Sequence, residues 1–182
     1  MDLDPAFTEI RERVGPLNSV FSLKADYLEK GLAREQTAAF WKVFWENRND
    51  HPTLPEFSLS LRYRMTCSAF SCEGDVSPPL LAIGRHSFVV ECFGEEWAMS
   101  HDSPNKTPDD ELERLVAPGY KSALEGDPSL DIVQVSTSDL KGRAMKLLYE
   151  RLIVPVRVGK YRRVLCCMTA PIKPIEWLPK QA

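Results

Sequence analysis

The sequence of 182 residues predicts an α+β protein built on an antiparallel sheet, with helices before and between its strands. Three observations indicate this class. The last two strand-like segments are joined by Gly159-Lys160, which favours a β-hairpin. A clearly signalled helix begins near Thr107, and an aromatic amphipathic helix occupies residues 32–47. The hydrophobic content of 43% is enough for one core.

Two helices are predicted in the N-terminal part. Residues 5–14 form a short one, with Pro5 in its first turn and Gly15-Pro16 at its end. Residues 32–47 form a longer one, whose apolar side chains recur at helical spacing. This second helix packs on its own domain or forms a dimer interface, because aromatic side chains are enriched at interface cores. The candidates for a dimer or partner interface are Phe40, Trp41, Phe44 and Trp45.

Two short strands, residues 80–83 and 87–92, are expected after a proline-containing linker. Within that linker, residues 57–65 fit either a strand or a helical turn, because short apolar runs allow both. The expected division of the chain is a helical extension at 1–50, a linker at 51–79, the main domain at 80–170 and a C-terminal tail at 171–182.

The middle of the main domain is predicted to be helical. A tight turn and short helix are expected at residues 93–98. A longer helix follows, with Thr107 as N-cap, Pro108 at the first position and two carboxylates in the first turn. We expect this helix to be interrupted at Pro118-Gly119 and to end at Gly126-Asp127-Pro128.

Three strands are predicted to close the chain: residues 130–135, then a hairpin after a turn at 139–142. A two-residue loop would place Val154 opposite Leu165. A loop one residue longer gathers the apolar residues on one face and is favoured. Because Pro155 lacks an N–H group, its strand needs a bulge or an unpaired side there. The favoured register pairs Leu152 with Met168, Val154 with Cys166 and Val156 with Val164.

This order of elements, with two strands, a helical middle and three antiparallel strands, resembles the PAS fold. Several short motifs resemble those of a bacterial PAS-like family with an aromatic N-terminal helix and a proline-containing linker. The resemblance covers roughly residues 40–168, and residues 62–79 depart from it as an insertion. The motifs are Phe40-Trp41 or Phe44-Trp45 with Arg48, Leu54-Pro55, Phe93-Gly94, Tyr120 with Gly126-Asp127-Pro128, and the segment Tyr149-Glu150-Arg151-Leu152-Ile153-Val154-Pro155-Val156.

The resemblance implies a five-stranded antiparallel sheet with helices over one face, often around a small cavity, and roles in signal sensing and dimerisation. It implies no catalytic residue, and no cofactor is required by the sequence. A plain hydrophobic core explains the inward-facing positions about as well as a ligand does. The candidates for the ligand cavity are Phe93, Trp97, Leu112, Leu115, Tyr120, Val154, Cys166 and Met168.

Other kinds of site are disfavoured by the sequence. Cys67 and Cys72 form the one approximate zinc-type pair, and the odd number of five cysteines favours reduced thiols. Haem bound through His86 or His101 would need an apolar setting, which neither histidine has. The adjacent residues Ser100-His101-Asp102 do not form a catalytic triad. A small α+β enzyme using His86 or His101 with a carboxylate as an acid–base pair is kept as the alternative.

Charge and hydropathy bound the partners. The net charge of −3 gives no overall field for nucleic acid, and no segment approaches the roughly 20 apolar residues of a membrane span. The lack of such a segment favours a cytoplasmic protein, and the PAS-like resemblance implies a homodimer with a protein signalling partner and room for a small-molecule ligand. A nucleic-acid-associated regulator is the third alternative, because positive charge gathers on the last hairpin, although solvated charges explain it better. These residues are Arg151, Arg157, Lys160, Arg162 and Arg163.

Overall fold

The computed structural model describes residues 18–24, 26–71, 74–99, 106–160 and 162–179. The helices are α1 (Asp26–Glu29), α2 (Glu35–Glu46), α3 (Leu59–Arg62), α4 (Phe88–Phe93), α5 (Glu95–Ala98) and α6 (Asp110–Leu124), with a 3-10 turn at Leu54–Glu56. The strands are β1 (Ser19–Ser22), β2 (Met65–Ala69), β3 (Leu80–Ile83), β4 (Ser129–Ser138), β5 (Ala144–Val158), β6 (Arg162–Pro171) and β7 (Glu176–Trp177).

The strands form one antiparallel sheet in the order β1-β4-β5-β6-β2-β3, and β7 pairs with the first residues of β5. The predicted α+β class with an antiparallel sheet is therefore confirmed. The sheet has seven strands within the described residues, two more than expected. Strand β2 lies inside residues 51–79, which the sequence assigned to a linker, so that segment contributes to the sheet.

Strand β5 is the long central strand, and alternation along it defines two faces of the sheet. We call inner the face covered by α4, α5 and α6, and outer the face covered by α1, α2 and α3. Because both faces are covered, β5 is buried along most of its length. Its inner side chains include Leu147, Tyr149, Arg151 and Ile153, and its outer side chains include Glu150, Leu152, Val154 and Val156.

The hairpin of β5 and β6 has the register that apolar patterning favoured. Leu152 faces Met168, Val154 faces Cys166 and Val156 faces Val164. That prediction is confirmed. A shift of one residue would have moved these side chains to opposite faces, so burial of the outer face fixes the register.

Within the described residues, Pro155 stands between the end of the β4 pairing and a single bridge from Thr53 to Arg157, so it has no paired residue on the second edge of β5. Pairing with β4 ends at Ile153, whereas pairing with β6 continues through Pro155 opposite Leu165. The amide of Arg157 donates to the carbonyl of Pro52 at 2.8 Å, away from β6. Amides of alternate residues point the same way, so the missing N–H of Pro155 faces the unpaired edge. The unpaired side predicted for this proline is confirmed.

Helix α6 begins two residues later than the sequence predicted. Its N-cap is Asp109, whose Oδ1 accepts hydrogen bonds from the amides of Glu111 at 2.9 Å and Leu112 at 3.0 Å. Thr107 instead donates its amide and hydroxyl to the Glu113 carboxylate. The prediction of Thr107 as N-cap was therefore wrong, because the helix starts at Asp110 and the side chain of Asp109 accepts from its first free amides.

The interruption expected at Pro118 is also absent, since α6 continues to Leu124. A proline in a helix deprives the carbonyl four residues earlier, here that of Arg114, of its partner. Both Pro118 and Arg114 lie on the exposed face of the helix, where water can satisfy this carbonyl. The proline is thus tolerated because of its position on the helix.

Residues 87–92 were predicted as a strand, and this was wrong. They begin α4, which has Ser87 as N-cap and ends at Gly94, a residue with a φ of 91°. The run of Phe88, Val89 and Val90 favours strand locally. Helical spacing nevertheless puts Phe88, Cys92 and Phe93 together in the inner core, and packing overrides the local preference.

On the outer face, α2 lies against the sheet. Phe40 and Phe44 are buried there, and the Phe40 ring is 4.9 Å from that of Phe57. The predicted long N-terminal helix is confirmed, and it packs on its own chain. The short helix predicted at residues 5–14 lies outside the described residues. Among the helices that are described, none has the length and apolar character needed to cross a bilayer.

Candidate functional site

A buried ion pair lies at the centre of the inner face. Arg151 and Asp131 are directly opposite each other on β5 and β4, and the Nη2 of Arg151 is 2.6 Å from the Oδ2 of Asp131. Their side chains are 2% and 0% exposed. Two charges removed from water are stable only when they are paired and further hydrogen-bonded.

Those further hydrogen bonds are present. The hydroxyls of Ser22 and Ser129 each donate to Asp131 at 3.0 Å. The Nη1 of Arg151 donates to the carbonyl of Val116 at 3.0 Å, and its guanidinium lies 5.4 Å from the ring centre of Tyr120. The pair therefore ties β1, β4, β5 and α6 to one another.

Arg151 was expected among the solvated charges of the hairpin, and this was wrong. Burial opposes its charge, but the carboxylate of Asp131 acts together with Tyr149, Tyr120 and Cys167 to outweigh burial and raise the pKa of Arg151. The remaining hairpin cations do lie at the surface or partly exposed. Arg157 pairs with Asp50 at 2.7 Å, and Arg163 lies 5.7 Å from the ring of Phe70.

Helix α6 approaches the ion pair closely at Gly119. A Cβ atom there would lie 2.5 Å from Nη2 of Arg151, 2.6 Å from Oδ2 of Asp131 and 2.8 Å from Oγ of Ser129. None of these distances is compatible with a methyl group. The contact between helix α6 and the ion pair therefore requires glycine at this position. Gly119 follows Pro118 directly, and the helix continues past both residues.

A cavity of about 60 Å³ lies beside the pair, between the inner face and helices α4 and α6. Phe88, Phe93 and Leu112 form much of its apolar wall. Its size suits a few small non-hydrogen atoms, well below the roughly 300 Å³ or more of pockets for drug-sized ligands. Its polar lining consists of Thr66, Ser77, Thr107, Glu113, Tyr120, Tyr149, Arg151, Cys167 and Thr169.

Two buried polar atoms of this lining have no hydrogen-bond partner among the described residues. They are Oε2 of Glu113 and Nε of Arg151, on side chains that are 3% and 2% exposed. Buried polar groups are otherwise almost always paired, so unpaired ones beside a cavity indicate a place for a polar ligand. Burial raises the pKa of Glu113, although the hydrogen bonds from Thr107 oppose this.

A second buried carboxylate lies on the outer face. Glu150 is fully buried, and its Oε1 accepts a hydrogen bond from the amide of Arg34 at 3.1 Å. Burial raises its pKa, while the hydroxyls of Thr37 and Tyr27 and this amide act in the opposite direction. Tyr149, Glu150 and Arg151 are thus all buried, but the middle residue is separated by the sheet from the other two.

The structure brings only part of the predicted cavity set together. Phe93, Leu112 and Tyr120 line the cavity, whereas Trp97 packs in the inner core with its ring 5.5 Å from that of Phe93. Leu115 lines a separate groove between α6 and β1. The other three residues were predicted to line the cavity, and this was wrong, because they lie on the outer face of the sheet. They are Val154, Cys166 and Met168.

The four predicted interface residues divide in two. Phe40 and Phe44 are buried in the outer core and are not available to a partner. Trp41 is partly buried against the outer core and stacks on Trp45 with ring centres 5.3 Å apart, and Trp45 is 45% exposed. The helix therefore packs on its own sheet and still presents an aromatic pair.

The other candidate chemistries gain little from the geometry. His86 lies on an exposed turn with its ring 6.0 Å from that of Tyr63, and His101 with its neighbours Ser100 and Asp102 lies outside the described residues. Within the described part of the chain, no three His, Cys, Asp or Glu side chains gather closely enough to hold a metal ion. Cys72, the partner in the approximate zinc pair, is outside that part.

Sequence reasoning missed Asp131, Glu113 and Gly119, which complete the site around Arg151. One signal was present, because Arg151 stands at an inward position of a nearly continuous apolar run and Asp131 stands likewise in β4. Such strands are typically buried on both faces, and buried charges must be paired.

No protein-family model, curated protein or solved structure matches this chain.

The contact at Gly119 predicts the effect of Gly119→Ala. In an ordinary helix this change stabilises by about 1 kcal/mol. Here the added methyl must displace Arg151 or Asp131, so we expect a net loss of about 2 kcal/mol or more in the free energy of unfolding, measured in urea. Ser122→Ala on the same helix is the control and should gain a few tenths of a kcal/mol, roughly the helix-propensity difference. Equal gains for both variants would contradict the close approach.

The raised pKa of Glu113 predicts a pH dependence. Because this pKa in the folded protein lies above the ordinary 4.5, the carboxyl contributes stability that is fully present below pH 4.5 and is lost as the pH rises through the folded pKa. Glu113→Gln keeps the acceptor for Thr107 and cannot ionise. The variant should therefore gain stability relative to the wild type as the pH rises from 4.5 to 7.

Urea unfolding at several pH values measures this difference. Glu96→Gln, at an exposed position on α5, is the matched control and should follow the wild type throughout. A constant offset between Glu113→Gln and the wild type across the whole pH range would show that Glu113 does not titrate in this way.

Proposed function

We propose that this protein is a PAS-like sensory module that binds a small polar ligand between its sheet and helices α4 and α6. The observation that carries the proposal is the cavity with two unpaired buried polar atoms, on Glu113 and Arg151. A ligand that hydrogen-bonds to both would satisfy them, and Arg151 would connect the ligand to Asp131 and to helix α6.

The order of elements supports the same proposal. Strands β2 and β3 come first, helices α4 to α6 follow, and strands β4 to β6 complete the antiparallel sheet. This is the order that suggested a PAS-like domain from the sequence. Strand β1 and helices α1 to α3 would then be an addition before this domain, and strand β7 an addition after it.

The dimensions of the cavity restrict the ligand. About 60 Å³ accommodates a small molecule but no flavin or haem unless α4 and α6 move away from the sheet. The lining also restricts its chemistry. Arg151 offers an N–H donor, and Glu113 offers an acceptor when ionised and a donor when protonated. Small carboxylic acids, amides and alcohols fit these requirements.

Binding is tested by NMR. We expect titration of the ¹⁵N-labelled protein with a panel of small acids, amides and alcohols to give saturable chemical-shift changes confined to residues around the cavity. Val116→Leu, which enlarges a cavity-lining side chain, should abolish them. Val154→Leu enlarges a buried side chain on the outer face and should leave them in place. Saturable changes located elsewhere, or none, would reject the cavity as a binding site.

A second candidate function, self-association, is favoured by the aromatic pair on α2. Trp45 is exposed and stacks on the partly buried Trp41, and the guanidinium of Arg48 lies 4.2 Å from the Trp45 ring. Exposed tryptophan with adjacent arginine is typical of interface centres. We propose that a second copy of the chain packs its own α2 on this pair, so that a signal passes between subunits.

Self-association is tested by sedimentation and native mass. We expect a mass twice 20.6 kDa for the wild type, and a shift to 20.6 kDa for Trp45→Ala. Trp177→Ala is a matched control, because Trp177 is 43% exposed and Arg143 lies 4.4 Å from its ring, yet it stands on β7. A monomeric wild type, or equal effects of the two substitutions, would contradict an interface at α2.

A further inference from the structure

Two cysteines on neighbouring strands lie side by side on the outer face of the sheet, the face away from the cavity. Cys67 on β2 is directly opposite Cys166 on β6, both on the outer face, and their Sγ atoms are 3.5 Å apart. Directly opposite residues of antiparallel strands have Cα atoms about 4.5–5.5 Å apart, which lies within the range for disulfides. The sulfurs need to approach by about 1.5 Å to reach bonding distance.

Cys67 lies nearer to solvent than its partner does. Cys67 is 9% exposed and lines an open groove of about 490 Å³ between α3, β2 and β3, whereas Cys166 is fully buried behind it. Two arginines, Arg62 and Arg85, line the same groove, and no carboxylate does so among the described residues. Nε of Arg62 is buried without a hydrogen-bond partner in that part of the chain.

This environment favours a reactive thiol at Cys67. A hydrogen bond with the Cys166 thiol lowers the pKa of Cys67 and outweighs the effect of its burial, which favours the thiolate, the nucleophilic form of the side chain. The thiols on the inner face differ. Burial raises the pKa of Cys167 to about 11 and raises that of Cys92. The outer pair is thus distinguished by the close approach of its two sulfurs and by the hydrogen bond between them.

We propose that Cys67 and Cys166 form a two-cysteine site that reduces hydroperoxides. The Cys67 thiolate attacks the distal oxygen of the hydroperoxide, the O–O bond breaks, and the alkoxide or hydroxide leaving group takes a proton from water. The sulfenic acid on Cys67 then reacts with the Cys166 thiol, which forms the S–S bond and releases water. Both thiols are oxidised, and the hydroperoxide is reduced to an alcohol or water by two electrons.

The site does not depend on the proposed ligand cavity, because the sheet separates them. A disulfide between Cys67 and Cys166 would link β2 covalently to β6. It would hold β6 together with the strand that lies beside α3 on the outer face. The groove is lined by Leu59, Tyr63 and Ile83 as well as the arginines, so it suits a hydroperoxide with an apolar substituent. A comparison of the oxidation rates with hydrogen peroxide and with cumene hydroperoxide distinguishes a preference for an apolar substituent from unselective access to the groove.

The reduced protein is treated with each hydroperoxide and its thiols are counted after denaturation. We expect two of the five thiols to be lost, with a mass decrease of two hydrogens that dithiothreitol reverses. In an unreduced tryptic digest, the peptide 65–85 should be linked to the peptide that begins at residue 164. Faster loss with cumene hydroperoxide would support the apolar preference, and equal rates would overturn that preference.

Substitutions identify the sulfurs. Cys67→Ser should abolish the disulfide, and Cys166→Ser should leave a sulfenic acid on Cys67 that dimedone traps. Cys72→Ser and Cys167→Ser are matched controls, each a neighbour on the same tryptic peptide, and should oxidise like the wild type. Loss of oxidation in a control, a link through Cys72 or Cys167, or no loss of thiols in the wild type would overturn the proposal. If a variant fails to fold, the tryptic digest of the oxidised wild type still shows whether Cys67 and Cys166 are the linked residues.

Discussion

The buried pair of Arg151 and Asp131 is the interaction on which the rest of this structure depends. It joins β4 and β5 to β1 and, through the Val116 carbonyl, to helix α6 on the inner face. A single unpaired charge in this position would cost several kcal/mol, about 3–5 by analogy with other buried pairs. Gly119 is fixed by the same constraint, because the helix must come close enough for the guanidinium to reach its backbone.

Alternation along β5 and β6 separates two kinds of chemistry by the thickness of one sheet. Arg151 and Cys167 face the small cavity, while the neighbouring Glu150 and Cys166 face the outer core. Adjacent residues therefore serve different sites without touching. This arrangement explains how a small domain can combine a candidate ligand cavity with a thiol pair, and why changes at one site need not alter the other.

Local patterns predicted those features that depend on period and spacing. The alternation of Leu152, Val154 and Val156 predicted the hairpin register, and the helical spacing of the aromatic residues in α2 predicted that helix. The strand expected at residues 87–92 failed because a short apolar run is compatible with strand and helix, and only packing distinguishes them. Val154, Cys166 and Met168 were assigned to the wrong face because period-two alternation separates the faces but does not tell which one the helices with the cavity will cover.

The sequence by itself therefore determined the long aromatic helix, the antiparallel hairpin and its register, since these follow from interactions between near neighbours and from one buried face. Tertiary structure decided where the charges lie. Arg151 and Asp131 are 20 residues apart, and Glu113 belongs to a third element, so their approach depends on the order of strands and on the position of α6. A charged side chain in a strand can be solvated or paired, and only the distant residues that remove water from it determine which state is stable.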